Sequence, residues 1–406
     1  MRETNVKKDK LWLIVVLLAA VIGLSILSAR LWGSKSEKIA LPEVHVASAT
    51  EKIADIARQN RIPLAVVLKS FSIDSVQAEI TALTALNLTS KQAEAKIIRA
   101  LIAYSEHQSK NWVKIFLKFI LWGVLLPIPV VLIAKKKLTP GRRRSAYLIS
   151  VVLFGIILGS DPSPMGTVKD AVFLLTAHQT VFWPRIIALG LFLLTVVLST
   201  KLICSWGCQF GTLQDLLFRF GRNKPDRKGG IRQFKPKFWI SNSVRILFFL
   251  ASVAVGLIWS FDIVGPIDPF RIYNPLVLGI GGAVFLAVVI VASLFVYRPW
   301  CHFACPFGLV SWFFEKVAIF RIKVDYSRCD ACQVCNSACP STVMDAILKQ
   351  DRVIPDCFGC GVCVESCPTN AVSLTSSRKN TGNYSVALQT LQRKRETLRN
   401  RQDGLS

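Results

Sequence analysis

No cysteine precedes Cys204, the chain has only four histidines, and its 25 acidic residues face 50 Lys plus Arg. Each scarcity excludes something. A secreted disulfide scaffold spreads its cysteines along the chain, whereas here eight of the 12 lie between Cys329 and Cys367. That clustering points to metal ligation in a reducing compartment. Of the histidines, His45, His107, His178 and His302, none pairs with another at a depth suited to a bis-His haem, and no CxxCH is present. The shortage of acid gives a net charge of +25. Nucleic acid is not needed to explain it, because the basic residues sit between apolar runs. Those runs, about twenty residues each, hold much of the 52% hydrophobic content and exclude an ordinary soluble domain.

Six runs read as membrane spans: 11–32, 112–134, 145–160, 181–203, 242–260 and 276–297. The first follows Lys7, Lys8 and Lys10 and lacks a clean small-x-small cleavage site, so an uncleaved anchor is expected rather than a signal peptide. Loop charge sets the orientation. The loop 135–144 (KKKLTPGRRR) has six basic residues and no acid, and 204–245 has nine basic against two acidic. The loops 161–180 and 261–275 each carry one basic and two acidic residues. The positive-inside rule then places both termini and every cysteine in the cytoplasm. Membrane lipid is the expected surrounding, in a bacterial inner membrane, with multi-pass topology.

Residues 1–32 form the anchor in this division and 33–111 the external segment, which reads as helical. Asp74-x-x-Gln77 and Thr89-x-x-Gln92 resemble capping boxes, and Ile97, Ile98, Leu101, Ile102 and Tyr104 follow the second. This segment is either a docking surface for a partner or a spacer. Residues 112–318 form the membrane core, 319–375 the cysteine-rich domain and 376–406 a basic tail. In the tail, Val386, Leu388, Leu391 and Leu398 would line one side of a helix resting on anionic lipid, with a solvated tail as the other reading.

An internal repeat follows spans four and six. Cys204-Ser-Trp-Gly-Cys208-Gln-Phe210-Gly211 matches Cys301-His-Phe-Ala-Cys305-Pro-Phe307-Gly308, and Lys201 and Arg298 stand three positions ahead. Each copy is expected to continue into an amphipathic helix, with Leu216, Leu217 and Phe220 in one and Trp312, Phe313 and Val317 in the other. Two thiols at i and i+4 share one helix face. They are half a metal site, a redox dithiol, or packing residues. If the hairpins converge, the four thiols enclose a third metal centre beside the basic surface.

The strongest pattern is Cys329-x-x-Cys332-x-x-Cys335-x-x-x-Cys339-Pro340, repeated as Cys357-x-x-Cys360-x-x-Cys363-x-x-x-Cys367-Pro368. This is the spacing of a two-cluster bacterial ferredoxin. Three thiolates at three-residue steps wrap one cubane, and the fourth reaches the other. Cys329, Cys332, Cys335 and Cys367 are expected to hold one [4Fe–4S] cluster, and Cys357, Cys360, Cys363 and Cys339 the second. Ala331, Gly359 and Gly361 leave room for sulfide and backbone donors. Short strands are expected at 322–324, 353–354 and 371–374. Structural zinc is the competing use of such cysteines.

Two CxxxC motifs ahead of a two-cluster ferredoxin pattern resemble the NapH/NosR group of membrane polyferredoxins, over roughly residues 145–375. Asp161-Pro162-Ser163-Pro164 is similar to that family too. The resemblance implies a polytopic α-helical membrane protein with a C-terminal ferredoxin-like α+β domain. It also implies electron transfer to a respiratory reductase from quinol or a cytoplasmic donor, with a periplasmic or membrane redox partner and a quinone as further ligand. The family motif is CxxxCP; Cys305 is followed by Pro306, but Cys208 by Gln209. Two other roles fit the same residues: a maturation factor supplying electrons for metalloenzyme assembly, and a redox-sensing regulator.

Overall fold

The computed structural model describes residues 2–32, 52–60, 62–71, 89–179, 181–220, 233–376 and residue 389. The Asp74 capping box and the tail helix fall outside them. Within them the chain is mostly helical. The first helix, α1, covers Arg2–Leu31. Among the described residues three helices follow, two short and one of 20 residues: α2 (Ile53–Gln59), α3 (Leu64–Phe71) and α4 (Ser90–Ser109). They bury Ile53, Ile56, Val67 and Ile97 in a core of their own. The capping box at Thr89 forms as its sequence dictates: Thr89 Oγ1 accepts from the Gln92 N–H, and Gln92 Oε1 accepts from the Thr89 N–H.

Among the described residues, three helices are long and apolar enough to cross a membrane: Trp12–Leu31, Trp112–Ala134 (α5) and Phe238–Trp259. Asn111 caps α5, accepting from the Lys114 N–H. Pro127 is tolerated because the helix restarts there, with proline at a first-turn position that needs no donor. Span three is built differently from a plain helix. Pro140–Ser150 (α6) runs into a π-helical turn, Val151–Ile157, where Gly155 meets the Tyr273 ring; a Cβ there would lie 2.3 Å from a ring carbon. After α7 (Pro164–His178) come two shorter apolar helices, α8 (Trp183–Leu198) and, later, α11 (Ile280–Phe295). They end earlier than their apolar runs because the chain turns back into the protein. One enters a π-turn at Ile203–Gly207, and the other breaks into extended backbone at Val296. Outward faces stay apolar; Leu247 on α10 (Phe238–Trp259) is 69% exposed, as suits contact with lipid tails.

Of the two helices expected to be amphipathic, the first is wholly interior, whereas the second has one buried side and leaves Phe313 and Phe314 exposed. Every residue of α9 (Gln209–Arg219) is buried, polar ones included, and Phe220 lies beyond its end. Its counterpart α13 (Pro306–Glu315) buries Pro306, Phe307, Gly308 and Leu309, preceded by the short α12 (Pro299–Phe303). The cysteine-rich domain has one antiparallel pair, β1 (Arg321–Val324) with β2 (Val372–Thr375), Ile322 opposite Leu374. Between them lie α14 (Val334–Ala338), α15 (Val343–Lys349) and α16 (Val362–Glu365). Residues 353–354 belong to no strand: Val353 is exposed and has no neighbour strand to cover it.

Candidate metal centre

The two ferredoxin motifs share one backbone shape. Ala331 and Gln333 have positive φ (50° and 55°), as do Gly359 and Gly361 (60° and 74°). These are the second and fourth positions after the first cysteine of each motif. Left-handed residues at both places curl the loop inward, the conformation in which successive N–H groups point at one anionic group. The residues present therefore fit a cubane, and when bound such clusters supply one-electron transfer. Two features favour glycine at 361. Its φ is left-handed, and a Cβ would lie 2.8 Å from Ile133 of α5.

The motifs differ in setting. The second is fastened to the membrane helices. The Lys201 N–H donates to the Cys357 carbonyl, and Trp206 Nε1 to the Gly359 carbonyl at 3.2 Å. Arg143 Nε donates to the Cys360 carbonyl at 3.0 Å, and its Nη2 pairs with Glu365 at 2.6 Å. The Cys357 N–H donates to Glu315 at 2.9 Å. In the first motif Cys332 is exposed and Cys329 half-buried, while Cys335 and Cys339 are buried.

The CxxxC motifs are brought together, and their symmetry is closer than the sequence implied. The i, i+4 thiols do not ride one continuous helix. The chain breaks at the second cysteine of each pair, Cys208 (φ −78°, ψ 111°) and Cys305 (φ −67°, ψ 115°). Each then caps the next helix: Cys208 Sγ accepts from the Gly211 N–H and Cys305 Sγ from the Gly308 N–H, both at 3.4 Å. The repeat's glycines permit this turn. A Cβ on Gly211 would lie 2.6 Å from the Cys204 carbonyl oxygen, and one on Gly308 would lie 2.8 Å from that of Cys301. Gly211→Ala should accordingly destabilise the chain by about 1–3 kcal/mol. Gly190→Ala, where nothing lies within 4 Å, should cost nothing. Thermal unfolding of the detergent-solubilised chain measures both.

Lys201 and Arg298 cross-brace the repeats. Lys201 Nζ donates to the Gly308 carbonyl at 2.6 Å, and Arg298 Nη1 to the Cys204 carbonyl at 2.6 Å. Neither forms an exposed basic surface. Lys201 and Arg245 both pair with Asp356, and Arg219 and Arg298 both pair with Asp215, all at most 3% exposed. His302 is buried rather than at the surface, beside Asp356 and against the Phe358 ring at 5.4 Å. Asp215, Arg245, Asp356 and Arg143 were not singled out by the sequence pattern. Arg245 carried a signal, since a charge inside an apolar span is costly unless partnered. His178 ends α7.

At the opposite end of α5, Lys110 pairs with Asp161, and Arg185 with Asp170. A small cleft lies here, walled by Trp112, Phe119 and Phe182, with Lys110, Asp161 and Arg185 on its polar side. Among the described residues, no three His, Cys, Asp or Glu side chains converge on a single-ion site. An iron–sulfur cluster asks for a wider shell, since each thiolate binds a different iron or shares one of two.

A family model described as a 4Fe-4S binding domain matches residues 180–228 and again 278–325. Another, described as a 4Fe-4S dicluster domain, matches 321–368. Among curated proteins, YccM of Escherichia coli, whose name gives it as a candidate electron transport protein, is 25% identical over 179 residues, 41% of this chain and 49% of YccM. The regulatory protein NosR of Stutzerimonas stutzeri is 25% identical over 271 residues, 59% of this chain and 36% of NosR. NirI of Paracoccus denitrificans is 25% identical over 156 residues, 36% of this chain and 22% of NirI. The chain thus spans about half the length of YccM and less of the other two. No solved structure matches the chain.

Proposed function

We propose, for this membrane ferredoxin protein of the NapH/NosR type, a one-electron relay between a donor in or beside the membrane and a respiratory reductase. The observation that carries it is the fastening of the second ferredoxin motif to the CxxxC core through Lys201, Trp206 and Arg143. Rigid seating of that kind keeps a transfer distance fixed, where a tethered soluble domain would let it vary. In this reading Cys329, Cys332, Cys335 and Cys367 hold one [4Fe–4S] cluster, and Cys357, Cys360, Cys363 and Cys339 the other. The chain orients and insulates these groups and makes no substrate bond itself.

In this reading six helices among the described residues cross the membrane: the three long apolar ones, the two of sixteen residues, and the helix with the π-turn. Both termini and the ferredoxin domain face the cytoplasm, and 33–111 faces outward, where a redox partner can reach it. Reporter fusions at residues 70, 140, 225 and 400 check this; an exported signal at 140 or 400 would refute it. A quinol is the donor best suited to the cleft at the Lys110 end, whose apolar walls fit a ring and whose Asp161 and Lys110 suit its hydroxyls. Reduction of the purified chain by a soluble quinol, followed by cluster absorbance, tests the function. Full cluster reduction by a soluble cytoplasmic-type donor with none by quinol would instead favour the cytoplasmic-donor reading.

A further inference from the structure

We infer that this chain holds one anionic phospholipid of the cytoplasmic leaflet, with an acyl chain between α5 and α8 and its phosphate at Lys135, beside the root of the ferredoxin domain. The inference rests on the topology proposed above and concerns a part of the molecule that the electron relay does not use.

The groove comes from what the two helices lack. α5 and α8 meet where Phe119 and Trp122 pack on Phe192, with ring centroids 5.4 and 5.1 Å apart. Below that contact, towards the ferredoxin domain, they leave a space of about 500 Å³ between them. Gly123 opens it: a Cβ there would meet nothing within 4 Å. A glycine inside a helix weakens the helix, so its place here is not explained by the helix alone. Val130, Leu194 and Leu198 continue the walls, and Ser199, Leu202 and Phe320 close the inner end.

Length and depth select the occupant. From Phe119 to Val131, both in the wall, α5 rises by roughly 18 Å. Half the hydrocarbon of a bilayer is about 15 Å thick, so one acyl chain of one leaflet spans the groove. Phe119 also walls the Lys110 cleft, so its ring stands between the two spaces. The polar end of the occupant therefore belongs at the cytoplasmic mouth, which is basic. Lys135 is exposed there and follows Val131 by four residues, on the same side of the helix end. Its N–H still donates to the Val131 carbonyl at 2.9 Å, so helical geometry holds as far as that residue. Lys137 and Arg142 are exposed in the same loop, 135–144, which has no acid. Lys136 is engaged elsewhere and ties this loop to the ferredoxin domain through the Asn370 carbonyl at 3.0 Å. Positive charge at the level of the headgroups selects an anionic lipid over a zwitterionic one. Ser199 Oγ, at the inner end of the groove, has no hydrogen-bond partner in the protein, and a lipid ester carbonyl is the kind of acceptor it lacks.

The position gives the lipid a consequence. Phe320 walls the groove and also leads into the ferredoxin domain. Its N–H donates to the Leu198 carbonyl at 3.0 Å, the Ile319 N–H donates to the Val197 carbonyl at 2.7 Å, and β1 starts at the next residue, Arg321. An acyl chain packed on Phe320 braces that joint.

The test uses the full chain purified in detergent, titrated with phosphatidylglycerol or with phosphatidylcholine of the same chain length and read by native mass spectrometry. One phosphatidylglycerol per chain should be retained, at least about ten-fold more tightly than phosphatidylcholine. Gly123→Leu places its side chain in the groove and should abolish retention. Lys135→Gln should cut the preference for the anionic lipid roughly five-fold. Phosphatidylglycerol should slow tryptic cleavage after Arg321 in the unaltered chain and not in Gly123→Leu. No retained lipid, equal retention of the two lipids, or retention untouched by Gly123→Leu would each overturn the inference. A bound quinone, or a second copy of the chain, released by Gly123→Leu would give the groove to that occupant and overturn it too. Cleavage indifferent to lipid would overturn the bracing. Should Gly123→Leu fail to fold, Lys135→Gln and the comparison of the two lipids on the unaltered chain decide. Cluster signals and quinol reduction do not enter this measurement, so a failed relay leaves it standing. An exported signal from the fusion at residue 140 would move Lys135 to the other leaflet and end the inference by a separate route.

Discussion

Replacing Asp356 by Asn should destabilise the chain by about 3–5 kcal/mol, because it strands two buried cations, Lys201 and Arg245. Lys201→Met should cost less, since Arg245 still balances the carboxylate. The difference between the two variants separates charge from packing. The ferredoxin domain should loosen first, because Asp356 is the residue before Cys357 and the Lys201 N–H holds the Cys357 carbonyl. Limited proteolysis between residues 320 and 376, together with thermal unfolding, reads the effect. Acid should not mimic the substitution at ordinary pH. Burial works to raise the Asp356 pKa, but Lys201 and Arg245 outweigh it and hold it down at about 2. A carboxylate with a depressed folded pKa contributes stability above its unfolded value, about 4, and loses it as pH falls towards the folded one. Melting temperatures between pH 5 and 7 should therefore show no step from this group.

The second large effect is expected from Cys339→Ser. Cys339 is buried, beside Ser341. By the crossed ligation of two-cluster ferredoxins it serves the cluster of the second motif, 24 residues or so away at Cys363, and not its own. The variant should lose the second-motif EPR signal and retain the first. Electron transfer should drop by at least an order of magnitude, because the lost cluster is the one seated on the membrane helices. Loss of the first-motif signal instead would reverse the ligand assignment. An unchanged spectrum would remove Cys339 from the ligand set.

Much of this molecule is determined by local sequence. Cubane loops are short-range devices: three thiols at three-residue steps, with small or left-handed residues at 331, 359 and 361, specify their own curl, so the motif alone implies the site. Apolar runs likewise specify helices, since a backbone in lipid must satisfy its own hydrogen bonds. The capping box at Thr89 is local in the same sense. What the sequence did not decide is where the chain turns back. Apolar runs at 181–203 and 276–297 do not reveal that their last residues fold inward, because lipid and a packed protein interior select the same side chains. Nor does a CxxxC reveal that its second cysteine caps a buried helix. That depends on Gly211 and Gly308 packing closely against the Cys204 and Cys301 carbonyls seven residues back in the chain, an approach set by how the turn sits in the folded core. The buried ion pairs are the clearest case. Asp356 lies 155 residues from Lys201 and 111 from Arg245, so only the tertiary structure brings them together. Charges of that cost are placed by what they must neutralise, and the partner that decides it comes from another part of the chain.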